Sequence, residues 1–338
     1  MENQKIVRCK PGDDVFESFV SLTDLVYTKE VASAKKIQKV NSSFLFNAYV
    51  AFKNNTAVAR CILFNNPYLK YESKRAFCFG YFEALNEPVC VNQMLSEVEK
   101  DATSAGASWL IGPMNGSTWD DYRIDAESEH PSFFLESRYP AYYHTLLQKA
   151  GFSSIARYVS HRDSDGNVHE ERIARTEALF NGAGVTFRNI DLEHYEDELI
   201  KLHHFCMSAF RNNFLFTPVS LRDFVEKYMK IKPAIDPRFV ILAENRNREM
   251  VGVIFCLHNF NDKQEKGLII KTIAKHPSFR YGGMGPLLGT LIKKKALECG
   301  YCYLLHAFMI DFNASRSLSE HFAGRPIREY YLYAKNLG

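Results

Sequence analysis

The sequence predicts an α/β (α+β) protein made of two tandem units, each a mixed central sheet flanked by helices. Three observations carry that reading. The chain has 338 residues, too many for one small core and enough for about two domains. β-like and helix-like segments alternate along it, as they do where helices cover a sheet. One order of elements is also used twice, beginning at Phe46 and again at Phe239.

The first unit opens with "FNAYVAF" and "TAVARCILF", Phe46 to Phe64, two β-rich runs around the polar turn "KNN". The second opens the same way with "FVILAE" and "MVGVIFCLH" around "NRNRE", Phe239 to His258. A third strand follows in each, "RAFCFGYFEA" and "GLIIKTIAKH". Next comes a helical segment ending in glycine, "PVCVNQMLSEVEKDATSAG" and "PLLGTLIKKKALECG"; Gly300 suits a helix C-cap. Each leads to a further strand, "ASWLIGP" and "YCYLLHAF", and then to a second glycine-ended helix, "AYYHTLLQKAGF" and "NASRSLSEHFAG". Each unit closes on a β-like run, "ARYVSHR" and "REYYLYAK". The polar stretch "RDSDGNVHEER", Arg162 to Arg172, starts the connection, and a helical segment to Phe180 and "NGAG" complete it. The expected domains are residues 1–180 and 184–338.

Composition narrows the function classes. Hydrophobic residues make up 46% and charged residues 24%, an ordinary globular balance, and aromatics at 14% suit large cores or a roomy apolar cleft. A net charge of +3 argues against nucleic acid or an anionic membrane as the main partner. No apolar run approaches the ~20 residues of a membrane helix, and the N-terminus has no apolar leader core. Eight cysteines, mostly in apolar runs such as those of Cys61, Cys78, Cys206 and Cys256, read as free thiols of a reducing compartment, the cytoplasm. Cys299 and Cys302 form a CxxC without a second ligand pair. It reads as a helix end and strand start, with no metal expected. Lys293, Lys294 and Lys295 read as a solvated helix face, and His203–His204 as one buried and one exposed ring.

The segment that carries chemistry is "KHPSFRYGGMGPLLG". Gly282, Gly283 and Gly285 fall within four residues, after a strand and before a helix. Glycines let a ligand approach the backbone, and a helix N-terminus offers free N–H groups and a favourable dipole to an anion. The segment resembles the acyl-CoA loop of the GNAT superfamily of N-acetyltransferases. Arg280-Tyr281-Gly282-Gly283-Met284-Gly285 matches R-x-x-G-x-G, with Pro277 three residues earlier. "DFNASRSLSEHFAG" and "EYYLYAK" resemble the family's following motifs, so the match covers Val185 to Gly338. The whole chain resembles bacterial tandem GNAT-like proteins, whose "GFFEA…GP" signature is matched by "FGYFEALNEP" and "WLIGPMNGST".

The resemblance implies acetyl-CoA or another acyl-CoA as substrate and a small-molecule or peptide amine as acceptor. The pyrophosphate would lie on the N–H groups of Arg280, Tyr281, Gly282, Gly283, Met284 and Gly285, at a helix beginning near Pro286. The pantetheine arm would follow Ile273, Ala274 and Lys275, where the strand splays from its neighbour, and Asn313 would hold the same arm. Where many members carry a tyrosine as general acid, this chain has Glu320. His306, near the end of "YCYLLHAF", is the first candidate base and Glu320 the second. His258 and His276 are less favoured.

The first unit lacks the glycine loop. Asn86 reads as an N-cap with Pro88 just inside the helix, so this half is expected to bind no CoA and to shape the acceptor site or the interface. "GPMNGSTWDDYR", Gly112 to Arg123, is a candidate wall of that site or an ordered surface loop. The aromatics of "FFLESRYPAYYH" and "AFRNNFLFTP" point to a cleft or to core. Competing readings are a transferase using a carrier or aminoacyl-tRNA in place of CoA, which the near-neutral charge does not support, and a non-catalytic CoA-binding module.

Overall fold

Runs rich in β-branched and aromatic residues become strands that pair edge to edge. The computed structural model describes residues 3–35, 40, 43–168, 170–311, 319 and 322–338. The first half supplies β1 (Gln4–Cys9), β2 (Leu45–Lys53), β3 (Thr56–Phe64), β4 (Lys70–Tyr71), β5 (Lys74–Ala84), β6 (Trp109–Gly112), β7 (Ile124–Asp125) and β8 (Ser153–Asp163). The second half supplies β9 (Thr186–Asn189), β10 (Val240–Glu244), β11 (Met250–His258), β12 (Gly267–Lys275), β13 (Tyr303–Ile310) and β14 (Arg325–Asn336).

These strands form one mixed sheet in the order β1-β2-β3-β5-β6-β14-β8-β13-β12-β11-β10-β9, with β4 and β7 beside β5 and β14. The order is a palindrome of the twice-used element series. Among the described residues only two pairs are parallel, β5 with β6 and β12 with β13, one in each half. The closing strands cross over: β14 pairs with β6 of the first half, and β8 pairs with β13 of the second. β14 and β8 also pair with each other through the middle of the sheet. The two units therefore share one hydrogen-bonded framework and cannot part without breaking strand ladders.

Helices cover the sheet as the apolar patterning requires. Pro88–Ser104 and Tyr142–Lys149 close one core over β2, β3 and β5, through Val91, Leu95, Tyr143 and Leu147. Met284–Glu298 closes another over β11 and β12 through Met284, Leu288 and Ile292. Tyr195–Ala209 and Leu221–Met229 contribute a further apolar cluster that reaches Val253 and Leu257. Among the described residues, no helix is long and apolar enough to cross a membrane.

Three local expectations need correction. The N-cap before Pro88 is Glu87, not Asn86; its carboxylate faces Lys53 at 3.1 Å. The helix after the glycines starts at Met284 rather than near Pro286, because Gly283 takes a left-handed φ of 82° and reverses the chain there. Lys293 is not solvated. It lies 4% exposed on the helix's inner face and meets Asp163, at the end of β8, at 3.0 Å. Lys294 and Lys295 do lie outward, against Glu170 and Glu298. Cys299 ends its helix and Cys302 directly precedes β13, and one ring of the histidine pair, His203, is buried, all as expected.

Lys293–Asp163 joins the helix of the second half to a strand of the first. Removing one member of a buried ion pair strands its partner at a cost of about 3–5 kcal/mol. Urea unfolding of Asp163→Ala should show a loss of that size, and replacing both members by apolar residues should recover much of it.

A candidate active site at a fork in the sheet

β12 and β13 pair in parallel only from Gly267↔Tyr303 to Ile270↔His306. Beyond that point β12 stays with β11 as far as Lys275↔Gly252, while β13 follows β8 to Ile310↔Tyr158. Both arms carry a bulge at the fork. On β12, Lys271 is the extra residue between the pairs Cys256↔Ile270 and Phe255↔Thr272. On β13, Ala307 and Phe308 lie between His306↔His161 and Met309↔Val159. Phe308 takes a φ of 58° and its N–H donates to Ser160 Oγ at 3.1 Å. A bulge bends its strand and re-aims a side chain. The edge of Lys271–Lys275 that faces β13 is left without a strand partner among the described residues, a row of backbone groups open to a ligand.

The first half contains the same fork, filled. β5 and β6 pair from Ala76↔Trp109 to Cys78↔Ile111, and β5 then shifts register against β3. Here the chain after β6 turns back into the gap. Met114 N–H donates to Phe79 O, and Tyr81 N–H donates to Asn115 Oδ1, each at 2.7 Å. A Cβ at Gly80 would sit 2.4 Å from Asn115 Oδ1 and from Met114 O, so the plug is tight. One fork is closed by the protein itself, and the other is open among the described residues.

β12 leads into the turn Phe279–Tyr281, the glycines and the Met284–Glu298 helix. Within the turn, Tyr281 N–H donates to Ser278 O and Gly282 N–H to Phe279 O. The first-turn N–H groups of Met284 and Gly285 have no intrahelical acceptor. The side chains of Tyr281 and Met284 are buried in the core, so only their backbones can meet a ligand. Arg280 is exposed, its guanidinium 4.6 Å from the Tyr281 ring centre. Ala274 is buried and Lys275 exposed on the open arm.

At the fork lies a cavity of about 330 Å³. Its walls come from both halves: Ile270 to Ile273 and His306 to Ile310 from the arms, Trp119 and Arg123 from the loop after β6, Phe210 and Phe214 from the segment after the Tyr195–Ala209 helix. The "GPMNGSTWDDYR" loop and the "AFRNNFLFTP" aromatics are thus cavity walls. Of "FFLESRYPAYYH", Phe133 and Tyr143 are core. Phe322 lines both this cavity and a second one of about 180 Å³ beside the glycine turn, bounded by Gly283 and Pro286.

His306 is buried on the cavity wall. Its Nδ1 lies 2.6 Å from Ser319 Oγ, which lies 2.9 Å from Nδ1 of His161. The single hydroxyl proton can be donated to only one of these nitrogens, so with both rings neutral at least one ring carries its proton on Nδ1. Burial, together with His161 and Lys293, pushes the His306 pKa down to about 3. The resting ring is neutral, and its Nε2 has no hydrogen-bond partner among the described residues. His258 ends β11 with its pKa lowered by burial, and His276 Nδ1 accepts the Ser278 N–H within the loop; neither lines the cavity. Asn313 and Glu320 lie outside the described residues.

Two cavity residues were not singled out from the sequence. Lys271 is aimed by its bulge; burial, with Lys227 and Arg123 nearby, pushes its amine down to about 8. The signal was a lysine inside the apolar run "GLIIKTIAKH". Arg123 has a φ of 77°, and its guanidinium lies 4.1 to 5.8 Å from the ring centres of Tyr122, Phe308, Tyr158 and Tyr330. Its Nη1 is buried without a hydrogen-bond partner among the described residues.

No protein-family model matches the chain. A bacterial ceramide synthase of Caulobacter vibrioides (strain NA1000 / CB15N) is 24% identical over 186 residues, 54% of this chain and 48% of that protein. The match thus spans about half the length of that curated relative. Among solved structures, a GCN5-related glucosamine N-acetyltransferase region of a fungal multi-domain GH3 β-N-acetylglucosaminidase aligns with a TM-score of 0.59 at 12% identity, over 99% of this chain and 38% of the other. A tandem GNAT protein from the clavulanic acid biosynthesis pathway aligns with a TM-score of 0.55 at 10% identity, over 99% of both chains. At these identities the likeness is one of fold, and it runs through both halves.

Two titrations check the site. Trace acylation followed by peptide mass spectrometry should give Lys271 a reactivity midpoint near pH 8, against about 10.4 for ordinary lysines. For His306 the folded pKa lies below the unfolded 6.5, so the unfolded chain binds the extra proton. Stability from this group is complete above pH 6.5 and falls as pH drops towards 3. His306→Gln should flatten the acid limb of the stability curve by about 1 kcal/mol per pH unit.

Proposed function

We propose that this chain, which has the tandem GNAT-like fold, is an acyl-CoA-dependent N-acyltransferase. It moves an acyl group, acetyl in the simplest case, to an amine of a small molecule or peptide by direct attack. The nitrogen bonds the acyl carbon, the thioester C–S bond breaks, and the departing thiolate takes up a proton to leave as the free thiol. The observation that carries this reading is the open fork beyond Ile270 and His306, next to a glycine turn at a helix N-terminus. The ceramide synthase relative supports it, since a ceramide is an N-acylated amine.

In this reading the pyrophosphate rests on the backbone of Arg280–Gly285, where the helix dipole favours an anion and Arg280 adds positive charge. The pantetheine amides bond the unpaired edge at Ile273, Ala274 and Lys275. Bound acyl-CoA supplies an activated acyl carbon, and every other task falls to the chain. A backbone N–H at Ile273 or Ala274 stabilises negative charge on the carbonyl oxygen. His306 Nε2 accepts the proton of the attacking amine. A base of such low pKa holds a proton only briefly, and Ser319 and His161 provide a path away from Nδ1. Asn313 and Glu320 keep the roles their positions in the motif imply, Asn313 on the pantetheine arm and Glu320 as second candidate for proton transfer. Residues 1–180 act as the domain that plugs its own fork and builds the acceptor wall, and residues 184–338 as the domain that holds CoA.

Thermal unfolding with acetyl-CoA at a hundredfold excess over Kd should gain about 2.7 kcal/mol, and Arg280→Glu should lose that gain. Titration calorimetry should give one CoA per chain; two would contradict the plugged fork. His306→Gln should keep the thermal gain while turnover falls by roughly 100-fold or more. Unchanged turnover would remove His306 from the mechanism.

A further inference from the structure

We infer that the cavity at the fork is an anion-binding acceptor site, built for an amine that also carries an acidic group, a phosphate or a carboxylate, held between Arg123 and Lys271. The inference rests on the acyl-transfer reading above and adds the class of acceptor to it.

The first ground is the state of Arg123. Four aromatic rings surround its guanidinium, and ring faces attract a cation but offer no lone pair to an N–H. Nη1 is buried and has no hydrogen-bond partner among the described residues. Among the described residues, Arg123 forms no ion pair. A buried donor left unpaired is costly, and such groups call for a ligand or an ordered water. The residue is also held at a left-handed φ of 77°, with its N–H on Pro113 O at 3.0 Å. Local strain of this kind gathers at ligand sites.

The second ground is Lys271, which the bulge turns into the same cavity and which likewise forms no ion pair among the described residues. Of the described acids nearby, Asp120 on the cavity wall meets Lys227 at 2.7 Å. Asp121, which accepts the Tyr139 hydroxyl at 2.8 Å, acts on Lys271 from outside the cavity wall and offsets only part of its charge. His306 is neutral. Among the described residues, the cavity wall therefore presents two cations, and its carboxylate, Asp120, is paired with Lys227.

These cations are not placed for the CoA pyrophosphate. Lys271 stands four strand residues before Lys275, about 13 Å along β12, with the glycine turn beyond. They instead face the region where the thioester would meet its acceptor. A simple ammonium would be repelled there. An acceptor with an acidic group would be held by it, and the positive surroundings would keep its amine unprotonated and nucleophilic. Trp119, Phe210 and Phe214 supply an apolar wall for the rest of the molecule.

The test uses the full chain and three probes of equal tail length, octyl phosphate, octanoate and octanol, with binding read by calorimetry and by Trp119 fluorescence. One or both acids should bind at least tenfold more tightly than the alcohol, and whichever acid is preferred identifies the headgroup. Lys271→Met and Arg123→Gln should each remove most of that preference, and Lys271→Arg should retain it. Arg123 is packed among rings, so the partly exposed Lys271 decides the matter if Arg123→Gln fails to fold. Equal binding of acids and alcohol, or a preference that survives Lys271→Met, overturns the inference. Acetyl-CoA affinity, measured on the same proteins, reports separately on the acyl-transfer reading. Its absence alongside a Lys271-dependent acid preference would sink that reading and leave the anion site standing.

Discussion

Everything proposed for this protein depends on a parallel strand pair that comes apart. β12 and β13 hold together for four register positions and separate after Ile270 and His306, each strand kept by its other neighbour. A backbone edge without a partner is expensive to bury, so a sheet interior tolerates one only where something else completes it. The bulges at Lys271 and at Ala307–Phe308 make the separation structural rather than an accident of fraying. They also turn Lys271 towards the cavity and leave His306 at the last paired position. The glycine turn at the end of β12 then places a helix N-terminus at the far end of the open edge.

The internal symmetry of the sheet offers a control within one chain. The β5–β6 pair separates in the same way, and there the protein completes the edge itself with Met114 and Asn115. Two copies of one architecture thus differ: one fork is plugged by the chain itself, and the other, among the described residues, is open with room for a ligand. The exchange of closing strands fixes the two copies relative to each other. It lets the loop after β6, in the first half, form a wall of the cavity in the second. Lys293–Asp163 adds a buried electrostatic tie across the same boundary.

Much of this could be read from residues alone. The twice-used element order appears as the palindromic sheet, and "GPMNGSTWDDYR" stands out as a polar, tryptophan-bearing loop where an α/β sheet places ligands. Register was not readable. No local pattern says that β14 pairs with β6, that β8 pairs with β13, or that Lys271 is a bulge residue, because these follow from long-range pairing. Lys293 shows the same limit: its solvated look in "KKK" gives way to an acid from a strand 130 residues earlier in the chain. Arg123 carries no signal in the sequence, because its interest lies in a partner missing among the described residues, which only three-dimensional surroundings reveal.

Amide hydrogen exchange with and without acetyl-CoA tests the central claim most directly, since it reads the open edge residue by residue. The account predicts slowed exchange across Thr272–Lys275 and Gly283–Gly285, with Phe79–Phe82 in the plugged fork unchanged. Protection confined to the first half, or none at Thr272–Lys275 under saturating acetyl-CoA, would contradict it.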